Sequence, residues 1–284
     1  MKQLSLIVFG NSKPHFILRI TSVLIIFFIT ATTQAQSLIP ELTFKNPVLK
    51  TGKGCPGDGL DGAVYIFENV GWNVDALVTI LGRSSAEVTL SAADIQGPEQ
   101  DSISGTGYDN AWQPRIKYAD GKAAANQTWW MEFKISFVKH FDRKTSVSVN
   151  QFFVSGLDID GDGNQLHEFQ SYYKMHFFSL EPQTAVFAST VQGSEMDPLL
   201  KGKRFDGSTK NYPGISVTAE DAMVSNFYTS SSSMIVRLGA ETGRIGTKKA
   251  DRMYGLLFKS LVFDVPVLPK TQSNLFAFVE GSNR

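Results

Sequence analysis

The sequence predicts an all-β protein, a single antiparallel β-sandwich of jelly-roll-like form, preceded by a signal peptide. Three observations carry this. Short apolar runs alternate with turn residues along most of the chain. The segment Trp130–Phe137 alternates strictly, so that Met131, Phe133, Ile135 and Phe137 share one face. The composition holds 21 phenylalanines but few long Leu/Ala/Glu/Lys stretches, which suits a pleated surface better than a helix.

Taken in order, the chain opens with Lys2, Lys13 and Arg19 ahead of an apolar core from Ile20 to Ile29. Thr33 and Ala35 then offer the small residues that signal peptidase needs, giving cleavage before Gln36. A core of that length is short for a bilayer span, which takes roughly 20 residues. Residues 1–35 are therefore read as a signal peptide and 36–62 as a lead-in loop. Residues 63–266 form the sandwich and 267–284 a C-terminal tail.

Within the sandwich, 63–67 and 76–81 read as buried strands. Further strands are expected over 130–137, 145–157, 168–180, 184–191, 234–238 and 254–265. The hydroxyl-rich 228–233 reads as a polar lead into one of them, and 275–279 as a last short strand. Only 92–95 and 219–224 have the pattern for a helical turn or two.

Removing residues 1–35 takes away three basic and no acidic residues, leaving 24 basic against 27 acidic. That mildly acidic balance excludes the basic footprint of a nucleic-acid binder. Past the signal no apolar stretch is long enough for a membrane helix. The destination is export: secreted or on the cell surface, with the periplasm open. The lone Cys55 rules out an intrachain disulfide and reads as an unpaired loop thiol.

The most explicit chemistry lies in Asp158-Ile159-Asp160-Gly161-Asp162-Gly163-Asn164, with Glu168 just beyond. Alternate carboxylates on extended backbone converge on one side, and Gly161 and Gly163 permit left-handed dihedrals. Crowded carboxylates repel, and a cation relieves them. The expected guest is Ca²⁺, structural in role, with Asp158, Asp160, Asp162, Asn164 and Glu168 as ligands. The spacing is not that of an EF-hand: the twelfth position is Phe169, and both flanks read as strands. A solvated acidic turn without metal is the competing reading.

Other signals point to no catalysis. Gly52-Lys53-Gly54-Cys55-Pro56-Gly57 spells GxGxxG, but it lacks the preceding strand and following helix of a dinucleotide site. His140, His167 and His176 have no zinc spacing, and no GxSxG elbow occurs. Glycosidase carboxylates such as Glu132 and Asp264 fall at outward strand positions, where solvated charge is expected. Tyr108 and Trp112, among turn residues, and Trp72, in Val70-Gly71-Trp72-Asn73, are candidate sugar-stacking platforms. Each could equally cap the core.

The order of motifs resembles a family of secreted cell-surface modules common in Bacteroidota. The matching segments run from Ala63-Val64-Tyr65-Ile66-Phe67-Glu68-Asn69-Val70 and Val74–Ile80 through Trp112-Gln113-Pro114-Arg115-Ile116 to Glu132–Val138. Leu157–Gly163 with Glu168-Phe169, Arg237-Leu238-Gly239 and Leu256–Phe263 complete them. The resemblance implies an exported, Ca²⁺-associated β module, often part of adhesin-like proteins, with no established activity. It carries over the acidic loop to Asp158, Asp160 and Asp162, with Glu168 alongside, and no catalytic residue.

The expectation is a non-enzymatic binding or adhesion module for polysaccharide or another cell-surface component. A structural or assembly protein that contacts other surface proteins is the first alternative. A polysaccharide-active enzyme is the second.

Overall fold

The structure, a computed structural model, describes residues 39–95, 110–215, 218–261 and 263. Tyr108, Asp264, the signal segment and the 275–279 strand lie outside the described residues. The first six strands are β1 (Val48–Leu49), β2 (Val64–Gly71), β3 (Val74–Arg83), β4 (Val88–Ala92), β5 (Arg115–Tyr118) and β6 (Thr128–Lys139). Then come β7 (Val149–Leu157), β8 (Leu166–Tyr173), β9 (Phe177–Ser179), β10 (Phe187–Gln192) and β11 (Lys201–Asp206). A 3-10 turn over Glu220–Ala222 leads to β12 (Val224–Ser231), β13 (Ser233–Thr242), β14 (Asp251–Met253) and β15 (Gly255–Leu257).

All the pairings are antiparallel. An eight-stranded sheet runs β1-β2-β3-β6-β13-β8-β11-β10, a four-stranded one β15-β7-β12-β9, and a three-stranded one β14-β5-β4. The large sheet packs against the two smaller ones through aromatic side chains. Phe137 of β6 meets Phe152 of β7 edge-on at 5.2 Å, and Trp129 of β6 stacks on Tyr118 of β5 at 5.3 Å. Offset and edge-to-face rings at these separations attract beyond their area burial. The all-β antiparallel sandwich is thus the observed architecture, and no helix among the described residues is long and apolar enough to cross a membrane.

The alternation in β6 does what its spacing predicts: Met131, Phe133, Ile135 and Phe137 are all buried. Its other face departs from expectation. Glu132 is not solvated but fully buried, with Oε2 paired to Arg237 at 2.7 Å and Oε1 accepting from the Ser194 hydroxyl and the Glu195 N–H, both at 2.7 Å. The 193–200 loop covers that face, which periodicity within one strand has no means of revealing.

The expected strand over 168–180 is two strands. Lys174 adopts φ 60°, a left-handed turn, and the chain leaves β8 in the large sheet to enter β9 in the four-stranded one. The hydroxyl-rich 228–233 is likewise a hairpin, the end of β12 and the start of β13, rather than a lead-in. Of the two helical turns expected, 219–224 gives the 3-10 turn, whereas Ala92 closes β4.

Candidate functional site

The acidic loop spans the connection from β7 to β8, as its strand-like flanks predict. Its conformation is not a uniformly extended ribbon. Asp158 takes φ 54° and Gly163 φ 79°, while Gly161 is required for a different reason. A Cβ at Gly161 would lie 2.7 Å from the Ser208 carbonyl oxygen and closer still to that of Leu166. The 207–212 segment grips the loop here: the Gly161 N–H donates to the Lys210 carbonyl and the Gly163 N–H to that of Thr209, both at 2.8 Å. The Glu168 N–H returns to the Asp160 carbonyl at 2.7 Å.

Four of the five expected ligands, Asp158, Asp160, Asp162 and Glu168, are buried and come together; Asn164 is exposed. The cation among them is a side chain of the protein. Arg252 of β14 donates from Nη2 to Asp160 Oδ1 at 2.9 Å and from Nε to Glu168 Oε1, and also reaches the Gly161 carbonyl at 3.3 Å. Asp160 Oδ2 accepts from the Tyr212 N–H at 2.7 Å. The Asp162 carboxylate is occupied by the N–H groups of Asn164, Gln165 and Leu166 and by the Thr247 hydroxyl at 2.8 Å. Two oxygens of the cluster, Asp158 Oδ1 and Glu168 Oε2, are buried without a partner.

One guanidinium among so many carboxyls leaves charge that burial makes costly. Desolvation, reinforced by the Asp160 and Glu168 charges, pushes Asp158 up to about 9, so it is protonated at neutral pH. Desolvation also lifts Glu168 to about 8 and Asp160 to about 6, in both cases opposed by Arg252. Asp162 goes the other way. Burial raises it, but the Thr247 hydroxyl and the three N–H donors hold it below the usual carboxylate range.

This donor set is a poor match to a Ca²⁺ cage as arranged. Calcium takes six to eight oxygens at 2.3–2.6 Å, whereas Asp160, Glu168 and Asp162 already serve protein donors. Among the described residues no group of three or more His, Cys, Asp or Glu is disposed to hold a metal ion.

Asp158 and Arg252 also line a cavity of about 590 Å³. Its wall carries six basic side chains (Arg115, Lys117, Lys122, Lys248, Lys249 and Arg252) against three acidic ones, Asp120, Asp158 and Asp251. The sequence offers no hint of it, because its wall is assembled from five separate stretches between 115 and 253.

The candidate platforms separate sharply. Trp112 is not an exposed platform: it is 1 % exposed, its ring packs on Phe133, and its indole N–H donates to the Ala93 carbonyl at 2.8 Å. It caps the core, as large aromatics with a polar handle do. Trp72 is the opposite, 96 % exposed at the tip of the β2–β3 hairpin. A partner that sequence reasoning missed stands on the β6–β7 loop: Phe141 is 81 % exposed. The two loops are tied together, since the His140 N–H donates to the Asn73 carbonyl at 3.1 Å. Beneath them, buried Asp75 accepts from the Asn69 N–H at 2.9 Å and pairs with His140 Nδ1 at 2.6 Å. His140 thus helps to fix the two loops.

Compared with known proteins, the chain matches no family model and no curated protein.

Proposed function

We propose that this protein is an exported, non-enzymatic binding module whose Trp72 end engages polysaccharide or another hydroxyl-rich cell-surface component. The single observation that carries the reading is the exposure of Trp72 beside Phe141 on two loops pinned to each other. Burying an indole yields about 1.5–3 kcal/mol or more, so a fold that leaves one in water at a rigid tip gives up that gain unless something covers the ring. The apolar C–H face of a sugar is complementary to such a ring, and a pre-positioned tip loses little entropy when it is covered. Resemblance to secreted surface modules belongs to the same proposal.

The test is affinity electrophoresis through gels containing soluble polysaccharides of differing linkage. Retardation of the wild type by at least one polysaccharide, abolished in Trp72→Ala and weakened in Phe141→Ala, is expected. Equal mobility of wild type and Trp72→Ala in every gel overturns the reading.

A second reading gives the acidic loop its Ca²⁺, and the observation favouring it is the pair of buried oxygens without partners, Asp158 Oδ1 and Glu168 Oε2. An ion bound only by the folded state would stabilise it by about 2.7 kcal/mol at a hundredfold excess over Kd. Melting with EDTA, then with excess Ca²⁺ or Mg²⁺, decides between this ion and Arg252 as the sole counter-charge. A rise specific to Ca²⁺ supports the metal, and superimposable curves exclude it.

A further inference from the structure

We infer that the basic cavity beside the acidic cluster is a binding site for a negatively charged sugar unit, one bearing a carboxylate or a sulfate. It shares no residue with the Trp72 end and stands independently of that reading. Three features of the wall carry the inference. The volume, about 590 Å³, is in the range of sites for small molecules and holds one to a few sugar rings.

The charge is unbalanced in a specific way. Arg115 is neutralised by Asp251 at 2.9 Å and Lys122 by Asp120 at 2.7 Å, and Arg252 is spent on Asp160 and Glu168. Lys117 and Lys248 make no ion pair among the described residues, and Lys249 donates only to the Asp162 carbonyl at 3.1 Å. Three lysines of the wall are therefore left without a carboxylate partner among the described residues. A cleft with low-dielectric walls focuses the field of like charges and concentrates a counter-ion.

The third feature is polar but not cationic. The Asp158 carboxyl, 7 % exposed, lines the cavity. A naked inorganic anion has no use for such a group, whereas a sugar hydroxyl does. Cations for the acid group and a carboxyl for a neighbouring hydroxyl form the complement of a uronate or a sulfated hexose. Charge-assisted hydrogen bonds of this type are about twice as strong as neutral ones.

Isothermal titration of the full-length mature chain provides the test, using a galacturonate trimer, a sulfated chondroitin tetrasaccharide and neutral maltotriose as probes. Binding of either charged probe, absent for maltotriose and weakened at high salt, is expected. The arm that binds identifies carboxylate or sulfate as the recognised group. The variant Lys117→Ala/Lys248→Ala should weaken that binding at least tenfold while melting like the wild type. Trp72→Ala should bind these short probes as the wild type does, which separates failure of this site from failure of the aromatic end. Absence of binding by both charged probes, or equal affinity of the double variant, overturns the inference.

Discussion

Replacing Arg252 by methionine tests how the acidic loop is held together. The substitution keeps the length of the stem and deletes a guanidinium that is 14 % exposed and bonded to two carboxyls of about 1 % exposure. Removing one partner of a buried pair strands the others and costs about 3–5 kcal/mol. For a β domain of this size each kcal/mol moves Tm by about 2–4 °C, so a fall of about 6–20 °C is expected. Circular dichroism melts at neutral pH measure it, and a pH series adds a signature that mere loss of packing lacks. Arg252 holds the pKa values of Asp160 and Glu168 down against burial. Without it they rise further, and raised acids add stability that is full below their unfolded values and lost as pH climbs. The penalty of Arg252→Met should therefore shrink towards pH 4. Adding Asp160→Asn and Glu168→Gln to Arg252→Met should restore much of the loss at neutral pH. A single variant melting within about 1 °C of the wild type would refute the ion-pair account.

Three further outcomes follow from the same geometry. Gly161→Ala forces a Cβ against two carbonyl oxygens on facing segments and should cost about 3 kcal/mol or more in urea titrations, whereas Gly163→Ala, strained only by its left-handed φ, should cost about 1. Asp158 sits at about 9, so its unfolded form ionises first and wild-type stability should fall as pH rises from about 4 to 9; Asp158→Asn should flatten that slope, and an unchanged slope would contradict the raised value. Asp75 has the opposite sign. Burial raises it, but the Asn69 N–H, His140 and Arg143 outweigh burial and hold it low, so its stabilisation is present above about 3.9 and is lost as pH falls below. Asp75→Asn should accordingly destabilise at neutral pH and be nearly silent in acid, read by the same melts.

What the sequence made legible was whatever a single segment can encode. The inward face of β6 and the strand character on both sides of the acidic loop are local periodicities, and the structure bears them out. The turn at Lys174 was not legible, because a lysine in the left-handed region carries none of the spelling of glycine or asparagine. Nor was β11, whose Lys201-Gly202-Lys203-Arg204 start has too few apolar positions to alternate, although β8 and β10 pair with it on both sides. The acidic loop shows the limit most clearly. Its acids are buried near one another, but not by the extended alternation the spacing implies. Asp158 takes a left-handed φ, and the Asp162 carboxylate turns to its own loop and Thr247. The countercharge comes from Arg252, 84 residues after Glu168. Trp112 and Trp72 occupy similar-looking turn segments and end at 1 % and 96 % exposure. The difference lies in what the remainder of the chain brings over each ring.

The cluster and the cavity are better understood as one electrostatic unit than as neighbours. A buried ion pair seldom adds net stability over apolar residues of the same volume, so the stability of the sandwich alone gives no reason for four acids at the β7–β8 connection. What the cluster does accomplish is mechanical. Two carboxyls, the Gly161 carbonyl and the surrounding backbone clamp fix Arg252 in the cavity wall. The Asp162 carbonyl holds Lys249 in the same way. Long basic side chains at an ordinary surface lose up to about 2 kcal/mol of rotamer entropy when a ligand immobilises them. Here that loss is taken on folding for Lys249, which lines the cavity already ordered, while Arg252, spent on the two acids, fixes the wall behind it. On this argument the acids shape an anion-receptive wall from behind, and exchanging the cluster for methionine and leucine should leave a protein that is as stable but binds a charged sugar less well.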